Sequence, residues 1–178
     1  MQSTRNTIAR SRSRKRRALT LLELIVASTL MTMMVTAVGV LLRGSYTVWS
    51  LADYDHSVLD SGYATLRHVV RNLRQAEAVS AISAAADNSG GISLLLPSGQ
   101  TVVYDHSGST VNYGVTTASN LLAENIYQLN FVGYKADGVT ATTVPAEIQS
   151  VKVTVRVNLQ REVSPTRTIS SWVWLRSW

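Results

Sequence analysis

Side chains with spacings that could do chemistry are few in this 178-residue chain. Cysteine is absent, which removes thiolate nucleophiles, thiolate-bound zinc and disulfides. The histidines are His56, His68 and His106, and Asp105-His106 sets a carboxylate beside an imidazole. Such a pair can serve acid–base chemistry, but no motif-framed nucleophile accompanies it. His106-Ser107-Gly108 reads instead as a turn, which accounts for both residues. Asp53, Asp55 and Asp60 offer the oxygen ligands that calcium accepts, yet on a helix they read better as a solvated face. His68 follows as an ordinary helix-surface or sheet-facing histidine. There is no nucleophile elbow, phosphate-binding glycine loop or metal-spaced histidine cluster. The expectation is a non-enzymatic chain with no catalytic residue, no cofactor, no resident metal and no small-molecule substrate.

Glu23 is different. From Leu19 to Leu42 the chain runs 24 residues, and Glu23 is the single ionisable side chain among them. At ~1.5 Å per residue a helix of that length covers roughly 36 Å, enough to cross a hydrocarbon layer about 30 Å thick. A carboxylate at the centre of such a span costs about 2.5–3.5 kcal/mol, so one that is kept there usually has a partner. Glu23 lies five residues into the run, nearer the interface, where the cost is smaller.

The elements that must position Glu23 begin with its flanks. Residues 1–18 hold Arg5, Arg10, Arg12, Arg14, Lys15, Arg16 and Arg17 and no acid. The formal charge of +6 therefore belongs to this segment: of 17 cations, the 10 that remain face 11 acids, a net of about −1. A pI near 10 invites a nucleic-acid reading, but no basic face survives beyond residue 18. Seven cations before an apolar span fit cytoplasmic retention instead.

The residues Ala18, Leu19, Thr20, Leu21, Leu22, Glu23, Leu24, Ile25, Val26 and Ala27 resemble the class III signal of type IV pilins and pseudopilins. That family's motif is a basic leader, a small residue, the cleavage point, then an apolar residue and Thr-Leu-Leu-Glu-Leu-x-Val-Ala. Ala18 stands where glycine is usual, and Leu19 where phenylalanine is usual. The resemblance implies cleavage between Ala18 and Leu19 by a prepilin peptidase and N-methylation of Leu19. It implies further that Glu23, the fifth residue of the processed chain, pairs with the Leu19 amine of a neighbouring subunit when helices bundle into a filament. A buried pair of this kind need not stabilise much, but it penalises the wrong axial register.

The periodicity carries the helix past the membrane. No proline precedes Pro97, and apolar residues from Tyr46 through Leu66, Val69, Val70 and Leu73 to Ala76 recur at steps of three and four. Tyr46 and Trp49 suit the outer interface, and Gly39, Gly44 and Gly62 are soft points. Residues 80–91 read as a loop. Beyond it the period becomes two, with strands at Ile92–Leu96, Thr101–Asp105, Thr110–Val115, Ile126–Tyr134, Ile148–Leu159 and Thr168–Arg176. The predicted fold is α+β and pilin-like: a long N-terminal helix, transmembrane half then amphipathic half, packed on a C-terminal antiparallel sheet through Leu66, Val70 and Leu73. The segments are a cleaved leader (1–18), a transmembrane and assembly helix (19–42), its amphipathic continuation (43–79) and a β-sheet head (80–178). Trp172 and Trp174 share one strand face opposite Val173 and Leu175, and one of those faces must be core.

Tyr104, Asn120–Ile126, Leu129-Asn130-Phe131, Tyr134, Asp137-Gly138 and the closing strand pair are similar to J-type minor pseudopilins and PilW-type minor pilins. The implied role is a minor subunit of a periplasmic or surface filament, near its tip, helping to initiate assembly. The implied partners are other pilins or pseudopilins through the N-terminal helix, the prepilin peptidase, and membrane lipid before assembly. The implied location is the bacterial inner membrane, with a single pass and a periplasmic or extracellular head. The machine could be type II secretion, a type IV pilus or DNA uptake. Two alternatives stand beside it: an unprocessed single-pass anchor displaying a binding domain, and an anchored enzyme using Asp105 and His106.

Overall fold

The computed structural model describes residues 20–160 and 165–175. Among these residues one α-helix, α1 (Leu21–Gln75), is followed by nine strands: β1 (Ala78–Ile82), β2 (Ile92–Leu95), β3 (Thr101–Ser107), β4 (Thr110–Val115), β5 (Asn120–Ala123), β6 (Ile126–Tyr134), β7 (Ala141–Thr142), β8 (Ser150–Asn158) and β9 (Thr166–Trp174), with a 3-10 turn at Pro145–Glu147. All strand pairs are antiparallel. They make two sheets rather than the single one expected. The first is a five-strand meander in chain order, and the second runs β7-β6-β8-β9. The break falls between β5 and β6, where Asn125 takes a positive φ of 62° and turns the chain out of the meander. Gap-free pairing then runs from Asn158↔Thr166 to Ser150↔Trp174.

The chain divides into two compact units, one ending at Tyr46 and the other beginning at Thr47. In the first, an apolar window of α1 is long and hydropathic enough to cross a membrane, with a mean hydropathy of 2.2 and none of its residues buried. In the second, Asp55, Val58, Gly62, Thr65, Leu66, Val69 and Leu73 form one buried stripe at helical spacing. Leu66 and Leu73 are buried as the periodicity predicts, whereas Val70 is half-buried and Val69 takes the central place. The stripe meets alternating residues of both sheets, among them Leu94, Tyr104, Leu129, Phe131, Val153, Val155 and Val157. Val151, Val153, Val155 and Val157 are all fully buried, and the residues between them are not, as the period-two pattern requires.

Three local expectations are corrected. The helix stops at Gln75, not Ala78, and Ala78–Ile82 is a strand inside a stretch read partly as helix and partly as loop. Its small residues have little strand preference of their own. The ladder to β2 and the burial of Val79 decide the matter. Second, β3 runs on to Ser107, so Asp105 and His106 lie in a strand rather than a turn. Third, Gly62 is not a soft point. A Cβ there would lie 3.1 Å from Val157 Cγ1 and 3.3 Å from Ile169 Cδ1, so the missing side chain lets α1 approach the second sheet closely.

Candidate functional site

Ala18 and Leu19, the expected cleavage pair, lie outside the described residues. From Thr20 onward the start of the helix is defined. The Thr20 carbonyl accepts the Leu24 N–H at 3.1 Å, and the Thr20 hydroxyl accepts the Glu23 N–H at 3.3 Å. Thr20 is therefore the N-cap, and Glu23 stands three residues on, the Thr-x-x-Glu spacing of a capping box. A carboxylate in the first turn is also favoured by the partial positive charge of the free N–H groups there.

Beyond Glu23 the apolar half of α1 presents Leu24, Ile25, Leu30, Met34 and Val38 without cover. Its hydroxyls do not oppose an apolar environment. Ser28 donates to the Ile25 carbonyl at 2.9 Å, Thr32 to Ser28 at 2.8 Å and Thr36 to Thr32 at 2.8 Å. Each of these hydroxyls is thus satisfied within the helix, the condition that a lipid or protein-buried span must meet. Tyr46 and Trp49 are exposed at the end of this half, as amphipathic anchors would be.

The head separates the residues with catalytic potential. Asp105 and His106 are consecutive on β3 and point to opposite faces, Asp105 to solvent and His106 inward. His106 Nε2 lies 3.0 Å from the Ile126 carbonyl, so it ties β3 to β6 and forms no dyad with Asp105. The three aspartates are not brought together either. Asp53 and Asp60 are exposed, whereas Asp55 is 3 % exposed and accepts the Gln160 N–H at 2.9 Å. Asp55 is thus no part of a solvated face, and fastens the helix to the end of β8. Among the described residues no three metal-ligating side chains converge.

A second polar cluster joins α1 to the meander. The buried Tyr104 hydroxyl lies 2.9 Å from His68 Nδ1 and accepts a hydrogen bond from the Asn72 side-chain amide. His68 also packs edge-on against Tyr113, with ring centroids 4.9 Å apart. Burial, reinforced by the nearby Arg71 guanidinium, lowers the His68 pKa below 6.5. Burial pushes the Tyr104 phenol up to about 12 despite the Asn72 hydrogen bond. In the tautomer that carries its proton on Nε2, neutral His68 accepts from the Tyr104 hydroxyl, which accepts in turn from Asn72. His68 and Asn72 stand four apart on the helix, but only the strand partner makes that spacing meaningful. This cluster, the Asp55 tether and the close approach at Gly62 are the working positions that sequence reasoning missed.

At the far end of the second sheet, Trp172 and Trp174 are exposed while Val173 and Leu175 are core, which settles which face of β9 is buried. Tyr134 stacks on Trp172 at 4.5 Å. The turn before β7 is organised by Asp137, whose carboxylate accepts the Val139 and Thr140 N–H groups and the Thr140 hydroxyl. These bonds hold its pKa down to about 2. Compared with known proteins, the chain matches no family model and no curated sequence.

Proposed function

We propose that this chain is a minor subunit of a type IV pilin-like filament, processed between Ala18 and Leu19 and assembled through its N-terminal helix. The observation that carries the reading is an apolar helical half that the chain leaves wholly uncovered, interrupted by one carboxylate at Glu23. Lipid covers that surface before assembly, and helices of neighbouring subunits cover it afterwards. Glu23 then needs a counter-charge, and the Leu19 amine of the next subunit supplies it. The head stands on the periplasmic or extracellular side of the bacterial inner membrane, and the subunit acts at the filament tip in initiation. Mass spectrometry of the membrane-extracted protein tests processing. A methylated Leu19 at the mature N-terminus is expected, and an N-terminus still at Met1 overturns the proposal.

The capping geometry favours one rival, an unprocessed single-pass anchor in which Glu23 merely starts the helix. Glu23→Gln separates the two. Glutamine keeps the spacing of a capping box and removes the charge. For a filament subunit we expect Glu23→Gln and Glu23→Val alike to insert normally and to lose filament assembly. If Glu23→Gln assembles like the natural chain, the charge pairing is wrong.

A further inference from the structure

We propose that the free edge of β9 is a docking strand for an acidic, extended segment of another polypeptide, which joins the second sheet as a fifth strand. Docking here needs only the folded head and does not depend on processing at Leu19.

Four observations carry this. First, β9 ends the order β7-β6-β8-β9, and among the described residues its main chain pairs with β8 alone. An unpaired edge is a template for another strand, and proteins usually blunt one with a proline, a bulge or a very short strand. Strand β9 has none of these: it is nine residues long, contains no proline and pairs without a register shift.

Second, the direction of its free groups follows from the bonds just beyond its two ends. Leu159 N–H donates to the Pro165 carbonyl at 2.5 Å, and Leu175 N–H to the Gln149 carbonyl at 2.9 Å. Odd-numbered residues thus face β8 at both ends of an unbroken ladder. By the alternation of an antiparallel strand, Thr166, Thr168, Ser170, Trp172 and Trp174 turn their N–H and C=O groups to the open side.

Third, the same residues carry the outward side chains, and Trp172 and Trp174 are 43 % and 57 % exposed, their indoles leaning over the outer face towards Tyr134 and Gly138. An added strand would set alternate side chains on this outer face beside Thr168, Ser170 and Trp172, the arrangement by which strand addition acquires specificity.

Fourth, the charge is one-sided. Strands β8 and β9 contain Lys152, Arg156 and Arg167 and no carboxylate. That set favours an acidic occupant and opposes a second copy of this chain, which would bring three more cations to the seam.

The test uses full-length protein in detergent and two synthetic peptides as long as β9, one alternating Glu and Val, the other Lys and Val. Amide exchange at Ser170 and Trp172 is expected to slow by about tenfold or more with millimolar Glu–Val peptide. The Lys–Val peptide is expected to leave it unchanged. Ser170→Pro removes an edge-facing N–H without touching the β8 ladder, so it should abolish peptide protection while Ile169, Ser171 and Val173 stay protected. Lys152→Glu combined with Arg167→Glu should reverse the peptide preference, which keeps the test sharp if the proline variant misfolds. No protection by the acidic peptide, equal protection by both, or prior protection of Ser170 and Trp172 through self-association would each overturn the proposal.

Discussion

At the scale of single residues, three buried or half-buried polar groups decide how the head responds to its surroundings. His68 has a folded pKa below its free value of 6.5, so between the two values the unfolded chain binds a proton that the folded chain refuses. Stability contributed by His68 is therefore present above pH 6.5 and lost as pH falls below it. Thermal melts from pH 7.5 down to 5 should show a falling midpoint, with a shallower slope in His68→Gln. Tyr104 works at the other end. Its raised pKa means stability present below about 10 and lost as pH rises towards 12. Asp55 is the third lever. Asp55→Ala removes the charged acceptor of the Gln160 N–H and should cost about 1–3 kcal/mol, read as a lower urea midpoint at unchanged slope.

At the scale of elements, the buried stripe of α1 and the inner faces of the sheets fit through one position without a side chain. Gly62→Ala adds helix propensity of about 1 kcal/mol but sets a methyl 3.1 Å from Val157 Cγ1 and 3.3 Å from Ile169 Cδ1. Side-chain tips can yield a few tenths of an ångström, so the alanine variant should stay near the natural stability. Gly62→Leu cannot be absorbed in this way, and its overpacking should cost about 1–3 kcal/mol by chemical denaturation. Leu73→Ala acts by the opposite mechanism. It leaves a cavity in the core of the head and should cost about 2–5 kcal/mol. Hydrogen exchange should then show faster opening of β2 and β3, whose Leu94 and Tyr104 share that core.

At the scale of the whole molecule, the two units draw on different solvents. Every buried residue among those described lies at Asp55 or beyond, inside the second unit. A chain beginning at Thr47 should therefore fold alone in water and melt cooperatively, with the near-ultraviolet spectrum of its packed aromatics. Loss of that cooperativity would show that the first unit contributes to the head's stability. The apolar half has the reverse property: with its hydroxyls satisfied internally and its side chains uncovered, it needs lipid or other helices around it.

Period alone determined much of this protein. The uncharged run around Glu23, the three- and four-residue steps from Leu66 to Leu73, and the alternation from Val151 to Val157 each state a local geometry that burial then rewards. Strands β4 and β6 have the bounds their patterns predict, because alternation and flanking turn residues agree there. Tertiary structure alone decided the rest. Ala78–Ile82 became a strand because β2 offered it a ladder. The single expected sheet became two because Asn125 turned the chain. Asp55 and His106 changed from surface and turn residues into ties between elements, and His68 took the sheet-facing one of its two readings, since a polar group's role depends on which distant atom meets it. Trp172 and Trp174 went outward for a similar reason: alternation puts both on one face, and only the packed core decides which face that is.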